Sequence, residues 1–237
     1  MTSDKVTSLG GFTERVRAIR LDWSMAPEKE LWFRGEKRDY GDTRLRPILY
    51  RPPKNRSLKS IPDLLNIEDD LFKMFQHCNP QLSDVPIEDN FDGYLFMQHH
   101  GGPTRLLDCS DGSLMALHFA LRNKQSDDSD SFVYVLDPYR LMDKLDSLPE
   151  AKLRDQLWRT YANITEDEEN KDDNAADVSH MYLPSSDGMP RPLELPRIPL
   201  VLDFPFISRR VAAQRSQFIV FGSDASWLSE EANSPTR

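Results

Sequence analysis

The sequence predicts a single α+β domain: a small mixed or antiparallel sheet flanked by helices. Three observations predict it. Short runs rich in aromatic and aliphatic residues, at Leu31–Arg34, Phe132–Leu136 and Gln217–Phe221, lie far apart in the chain. The stretches between them carry helical spacing instead. No repeat period is visible, and nothing marks a linker between two independently patterned halves, so 237 residues read as one domain with a long insertion.

Taken in order, residues 1–10 are polar and expected to be flexible, and the domain proper runs over 11–223. Phe12–Trp23 places Val16, Ile19 and Leu21 at the spacing of a short helix. Leu31–Arg34 reads as a short strand closed by Gly35. Ile67–His77 is a clearer helix, with Ile67, Leu71, Met74 and Phe75 on its apolar side and Glu68, Asp69 and Asp70 at the positive end of its dipole. Asn79-Pro80 ends it. Phe91–Gln98 fits strand or helix by composition and is read as a helix entering a loop; Thr104–Leu107 is extended. Ser113 then caps a helix from Leu114 to Arg122 that is apolar on nearly every face, and so is expected to be the most buried helix of the domain. Phe132–Leu136 is read as a core strand stopped by Asp137-Pro138, and Leu141–Tyr161 as one amphipathic helix. An acidic insertion at 163–180 is expected to be disordered. Pro184–Pro205 is a proline-punctuated strap, Gln217–Phe221 the last strand, and 224–237 a flexible end.

Thirty basic and 39 acidic residues give a net charge of −9, which argues against nucleic-acid binding driven by bulk charge. The charge is uneven, however. Arg34, Lys37, Arg38, Arg44, Arg46, Arg51, Lys54, Arg56 and Lys59 face only Glu36, Asp39 and Asp42, whereas Glu166–Asp177 is acidic. A local basic surface on an acidic protein suits a phosphate-bearing ligand, or is simply a solvated loop. Two cysteines, Cys78 and Cys109, carry no disulfide or metal spacing and point to a reducing, cytoplasmic setting. The longest apolar run, Leu114–Leu121, is too short for a bilayer, so no membrane partner is expected.

The polar residues concentrate in Gln98-His99-His100-Gly101-Gly102-Pro103-Thr104-Arg105-Leu106-Leu107-Asp108, which runs straight into the apolar helix. Functional groups tied to a buried segment are how a site is held rigidly. Arg34, beside Gly35, is suited either to clamp phosphate through paired N–H groups or to pair with a carboxylate such as Asp108. His99 and His100 point to opposite sides of an extended backbone, so at most one of them faces a site, as acid, base or ribose donor, the alternative being a turn histidine that caps backbone groups; the sequence leaves open which of the two it is. Asp108 is suited to orient His100, to pair with Arg105 or Arg34, or to cap the next helix. His118 reads as a core histidine, and Gln214 as a late pocket contact or a backbone bridge. His77, Cys78, His99, His100 and Cys109 lack metal-site spacing, so no metal is expected. A Cys109–His100 nucleophile pair lacks any flanking signature.

Together, Phe33-Arg34-Gly35, Leu45-Arg46-Pro47, the central block, Ala116-Leu117-His118-Phe119-Ala120 and Arg210–Phe218 resemble the FRG-domain family, over roughly 31–221. At fold level the order of these motifs also resembles the ADP-ribosyltransferase architecture. That resemblance implies NAD as cofactor or substrate, with Arg34, Gly35, Thr104 and Asp108 binding it and His100 and Gln214 in catalytic positions; Ser110 is the alternative to Thr104 on the second strand. The late motif departs from the pattern, since Gln214, Arg215, Ser216 and Gln217 stand where those enzymes commonly place a glutamate that stabilises positive charge. The implied function is a pocket for NAD or a related nucleotide, with ADP-ribosyl transfer onto a protein or nucleic-acid acceptor, in a bacterial or phage-related defence or toxin setting. The rival reading is a non-catalytic module that binds nucleic acid or protein through the basic 34–59 segment.

Overall fold

The computed structural model describes residues 4–52, 57, 59–78, 90–124, 129–162, 178–185, 194–202 and 216–233. Gln214 and most of the acidic insertion expected at 163–180 lie outside these residues; positions 178–180 open a 3-10 turn, Val178–Tyr182.

Among the described residues, five strands form one antiparallel sheet in an α+β domain: β1 (Trp32–Glu36), β2 (Leu106–Ser110), β3 (Phe132–Leu136), β4 (Leu200–Leu202) and β5 (Ser216–Val220), in spatial order β3-β1-β2-β5-β4. Side chains alternate across it. One face carries Trp32, Leu107, Cys109, Tyr134 and Ile219, packed with Leu45, Leu49, Tyr50 and Phe221 into the largest apolar cluster. The other face carries two separate clusters. Leu31 and Phe33 pack with Ala116 at the β1–β3 side, and Leu106, Phe218, Val220 and Leu202 pack with Phe72, Tyr94 and Tyr182 at the β2–β5–β4 side. Between these two clusters lies the candidate site.

Among the described residues, seven helices surround the sheet: α1 (Leu9–Asp22), α2 (Ile61–Cys78), α3 (Asn90–His99), α4 (Ser113–Leu121), α5 (Pro138–Ser147), α6 (Pro149–Ala162) and α7 (Trp227–Asn233). The helix read at Phe91–Gln98 is α3. Its end is set by Gly101, at φ +84°. Gly101 N donates to Gln98 O and Gly102 N to Met97 O, both at 2.9 Å, the paired bonds of a left-handed C-terminal cap that returns the chain toward β2.

Several expectations are corrected. The single helix expected over Leu141–Tyr161 is two, because Pro149 begins α6 and holds Leu148 extended (φ −75°, ψ 147°). The strand Phe132–Leu136 lies at the sheet edge rather than at its centre, and only Tyr134 is buried. Helix α4 is not the most buried. Ala116 and Ala120 are buried, but Leu114 and Leu121 stay half-exposed and His118 is exposed rather than a core histidine. The cause is the contact that seats α4: two alanines four residues apart lie on one helix face against β1, which leaves Leu114, His118 and Leu121 toward solvent. The cap expected from Ser113 is also absent; Gly112 takes the N-cap position without a side-chain bond. Toward the C-terminus, α7 brings Leu228 into the largest cluster although 224–237 carries few apolar residues.

Candidate functional site

The central block folds back on itself. Thr104, fully buried, donates from its hydroxyl to Gln98 Oε1, and accepts from Leu106 N at 3.2 Å. The Gln98 amide in turn donates from Nε2 to Asp108 Oδ2 at 2.9 Å. Arg34 completes the chain from β1: its guanidinium donates to Asp108 O at 2.7 Å and lies 3.6 Å from Asp108 Oδ2. β1 and β2 are in register at Phe33↔Ser110, and Arg34 fills the seam beyond that pair. Asp108 therefore sits mid-strand, held by Gln98 and Arg34. Of the roles open to it in the sequence, pairing with Arg34 is the one adopted. Arg105 does not join it.

Arg105 instead enters the core. Fully buried, it makes a 2.7 Å ion pair from Nε to Glu68 Oε2, and donates to the Phe221 carbonyl at 2.8 Å and to the Tyr182 carbonyl. Its backbone N–H meets Glu68 and the Tyr94 hydroxyl at 3.0 and 2.9 Å, and that hydroxyl donates to Glu68. Burial works against the charge, yet Glu68, Tyr94 and Tyr50 hold the guanidinium above its ordinary range, so it is charged throughout.

A cavity of about 290 Å³ opens between α3 and α4 over the seam. Its deeper wall is apolar and aromatic, with Phe33, Leu95, Ala116 and Phe218 buried and Phe119 half-buried. Arg34, Gln98, His99, Asp108, Ser110 and Ser216 supply the polar groups. Asp108, with 46% of its side chain exposed, marks the open side. A concave, mostly apolar space with a few convergent polar groups is the usual form of a small-ligand site.

The predicted residues distribute as follows. Arg34, Gly35 and Asp108 line the cavity. Thr104 does not, but positions Asp108 through Gln98. Gly35 is required by the fold itself: a Cβ there would lie 2.0 Å from Ala116 O and 2.8 Å from Ala120 N, so the close approach it permits is that of α4. Of the two histidines, His99 lines the cavity. His100 is exposed outside it, its ring 4.5 Å from Phe96 and 5.5 Å from His99. The structure gives no support to a Cys109–His100 nucleophile pair: Cys109 is buried and His100 is exposed outside the cavity, and burial, opposed by Arg34 and reinforced by Asp108, pushes the Cys109 thiol up to about 12. Ser216, Phe119 and Phe218 went unassigned in the sequence. Ser216 pairs with Ser110 across β2–β5, a proximity that only strand register reveals. Among the described residues no group of three or more His, Cys, Asp or Glu side chains is placed to hold a metal ion, and no helix is long and apolar enough to cross a membrane.

An antiparallel α+β sheet with a ligand-sized cleft between two helices on one face defines the class of this protein. Residues 29–129 match the family described as the FRG domain. That span holds β1, β2, α3 and α4 and so most of the cavity wall; β5 lies beyond it. No curated protein and no solved structure matches the chain.

Proposed function

We propose that this domain is a nucleotide-binding domain whose cavity takes NAD or a close relative, in a bacterial or phage-related defence or toxin setting. Arg34 is the observation that carries the reading. It lines an aromatic-walled cavity, and its buried Nε–H has no acceptor among the described residues. A buried donor without an acceptor costs about 1–3 kcal/mol, and a ligand phosphate or ribose oxygen would remove that cost. Phe33, Phe119 and Phe218 suit a planar ring beside it. Transfer of ADP-ribose from NAD to a protein or nucleic-acid acceptor needs negative charge near the developing cation. Asp108 is the carboxylate among the cavity's described lining residues, whereas the late motif offers Gln214.

The rival reading, a module that binds nucleic acid or protein through the basic 34–59 segment, draws less support. Arg51 is paired at 2.6 Å with Glu36, which is buried, and Arg46 donates to Ser226 at 2.6 Å. Arg51 and Arg46 are thus engaged inside the fold, although Arg46, like Arg34, keeps a buried Nε–H without an acceptor among the described residues; unlike Arg34, neither lines the cavity.

Calorimetry with NAD and ADP-ribose is expected to show binding by the wild type and a loss of about tenfold or more in Arg34→Ala, the worth of one charge-assisted hydrogen bond. Arg34→Lys should restore only part of it. Melting temperatures without ligand give the control. Wild-type indifference to both nucleotides, together with a salt-sensitive affinity for nucleic acid, would replace this reading with the rival one.

A further inference from the structure

Beside the cavity, the outer ends of α2 and α3 carry an aromatic cluster that the packing of the two helices does not consume. Phe75 and Phe96 meet across the helices at 5.9 Å, and both are only half-buried. The two histidines extend this pair outward. His99 stacks on Phe96 at 6.3 Å and 12°, and His100 meets Phe96 at 4.5 Å, Phe75 at 6.4 Å and His99 at 5.5 Å. His100 is exposed. His99 belongs to both places: it lines the cavity and is a member of the ledge.

The cavity's size gives the second half of the argument. At about 290 Å³ it lies at the small end of ligand pockets, so NAD held there fills it with one ring and its sugar and extends beyond the mouth. A ligand with a second base must place it outside the mouth. His99 links the cavity lining to the rings of Phe96 and His100, and base–aromatic stacking needs no particular hydrogen-bond pattern. We propose that the cavity and the Phe75–Phe96–His99–His100 ledge together form a dinucleotide site, with one base inside the cavity and the second stacked on the ledge against His100. The proposal rests on the nucleotide reading of the cavity and adds to it the surface that holds the second base. Joining the two halves makes the second contact intramolecular, so a dinucleotide gains affinity that neither mononucleotide has alone.

Calorimetry with nicotinamide mononucleotide, AMP and NAD tests it. The wild type is expected to bind NAD about tenfold or more tighter than the better of the two mononucleotides, the size of one base-on-aromatic contact. His100→Ala should erase that difference while the better mononucleotide binds as before, and His100→Phe should restore it. Unchanged melting temperatures in both variants confirm that the fold is intact. NAD binding no tighter than its better half, or a His100→Ala variant that leaves NAD affinity intact or weakens NAD and mononucleotide alike, would overturn the ledge and leave the cavity reading standing. If the wild type binds none of the three, both fall together.

Discussion

Gly35 shows how one residue supports both fold and site. It follows Arg34 in β1, and its missing side chain lets the α4 backbone settle onto the strand. Gly35→Ala would drive a methyl into Ala116 O at 2.0 Å, backbone that cannot rotate away. It is expected to cost about 3 kcal/mol or more, at or above the usual range for overpacking. Urea unfolding measures it, and a loss below about 1 kcal/mol would mean that α4 shifts freely on the sheet. The residue type was legible in the sequence as a position of close approach, but what approaches was not. A ligand phosphate and a helix backbone make the same demand on a glycine, and only the packing of α4 distinguishes them. The two histidines pose the same problem. Their adjacency lets at most one face a site, and with α3 ended at the Gly101 cap the one that lines the cavity is His99.

Secondary-structure elements are held in register by the Arg105–Glu68 pair. From the start of β2 it reaches α2 through Glu68, α3 through Tyr94, the 178–182 turn through the Tyr182 carbonyl, and the end of β5 through Phe221. Removing one partner strands a buried charge. Arg105→Met is therefore expected to destabilise by about 3–5 kcal/mol, and adding Glu68→Leu should recover much of that, because two apolar side chains leave no ion unpaired. Chemical denaturation of the two variants separates these outcomes; a double variant worse than the single one would show that the pair stabilises beyond mutual neutralisation. Helix α3 was legible from its composition, and the existence of α2 from its apolar spacing, but α2 begins at Ile61 rather than Ile67. Glu68, Asp69 and Asp70 therefore lie mid-helix instead of in its first turn, Glu68 is buried against Arg105, and Met74 is exposed. The break at Pro149 was legible too, as a proline after Leu148, but amphipathic spacing continuing on both sides masks it. Helix α4 misled for a different reason. An all-apolar segment reads as buried, yet it presents its small residues to β1 and leaves Leu114 and Leu121 half-exposed.

The whole molecule buries groups that must stay neutral, and this sets its response to alkali. Burial pushes the Cys109 thiol from 9.0 up to about 12, and holds the Tyr182 and Tyr94 phenols above their ordinary value, with Glu68 adding to the effect at Tyr94. In the unfolded chain these groups ionise first, so between about pH 9 and 12 the unfolded state binds fewer protons than the folded one and stability falls as pH rises. Urea midpoints are expected to be level up to about pH 8.5 and to drop steadily above it; a flat profile through pH 11 would show that these groups ionise without opposing the fold. At this scale the sequence by itself determined the α+β class, the strands at 31–34, 132–136 and 217–221, the helix before the Gly101 turn, and the concentration of polar groups around Arg34 and Asp108. These are local matters of side-chain periodicity, capping and composition, each decided within about ten residues. Only the tertiary structure decided the strand order β3-β1-β2-β5-β4, which places Ser216 beside Ser110, and the opening of a cavity between two clusters on one face. Those depend on contacts across more than a hundred residues, where many partners satisfy the same local pattern and only the joint packing of α3 and α4 selects among them.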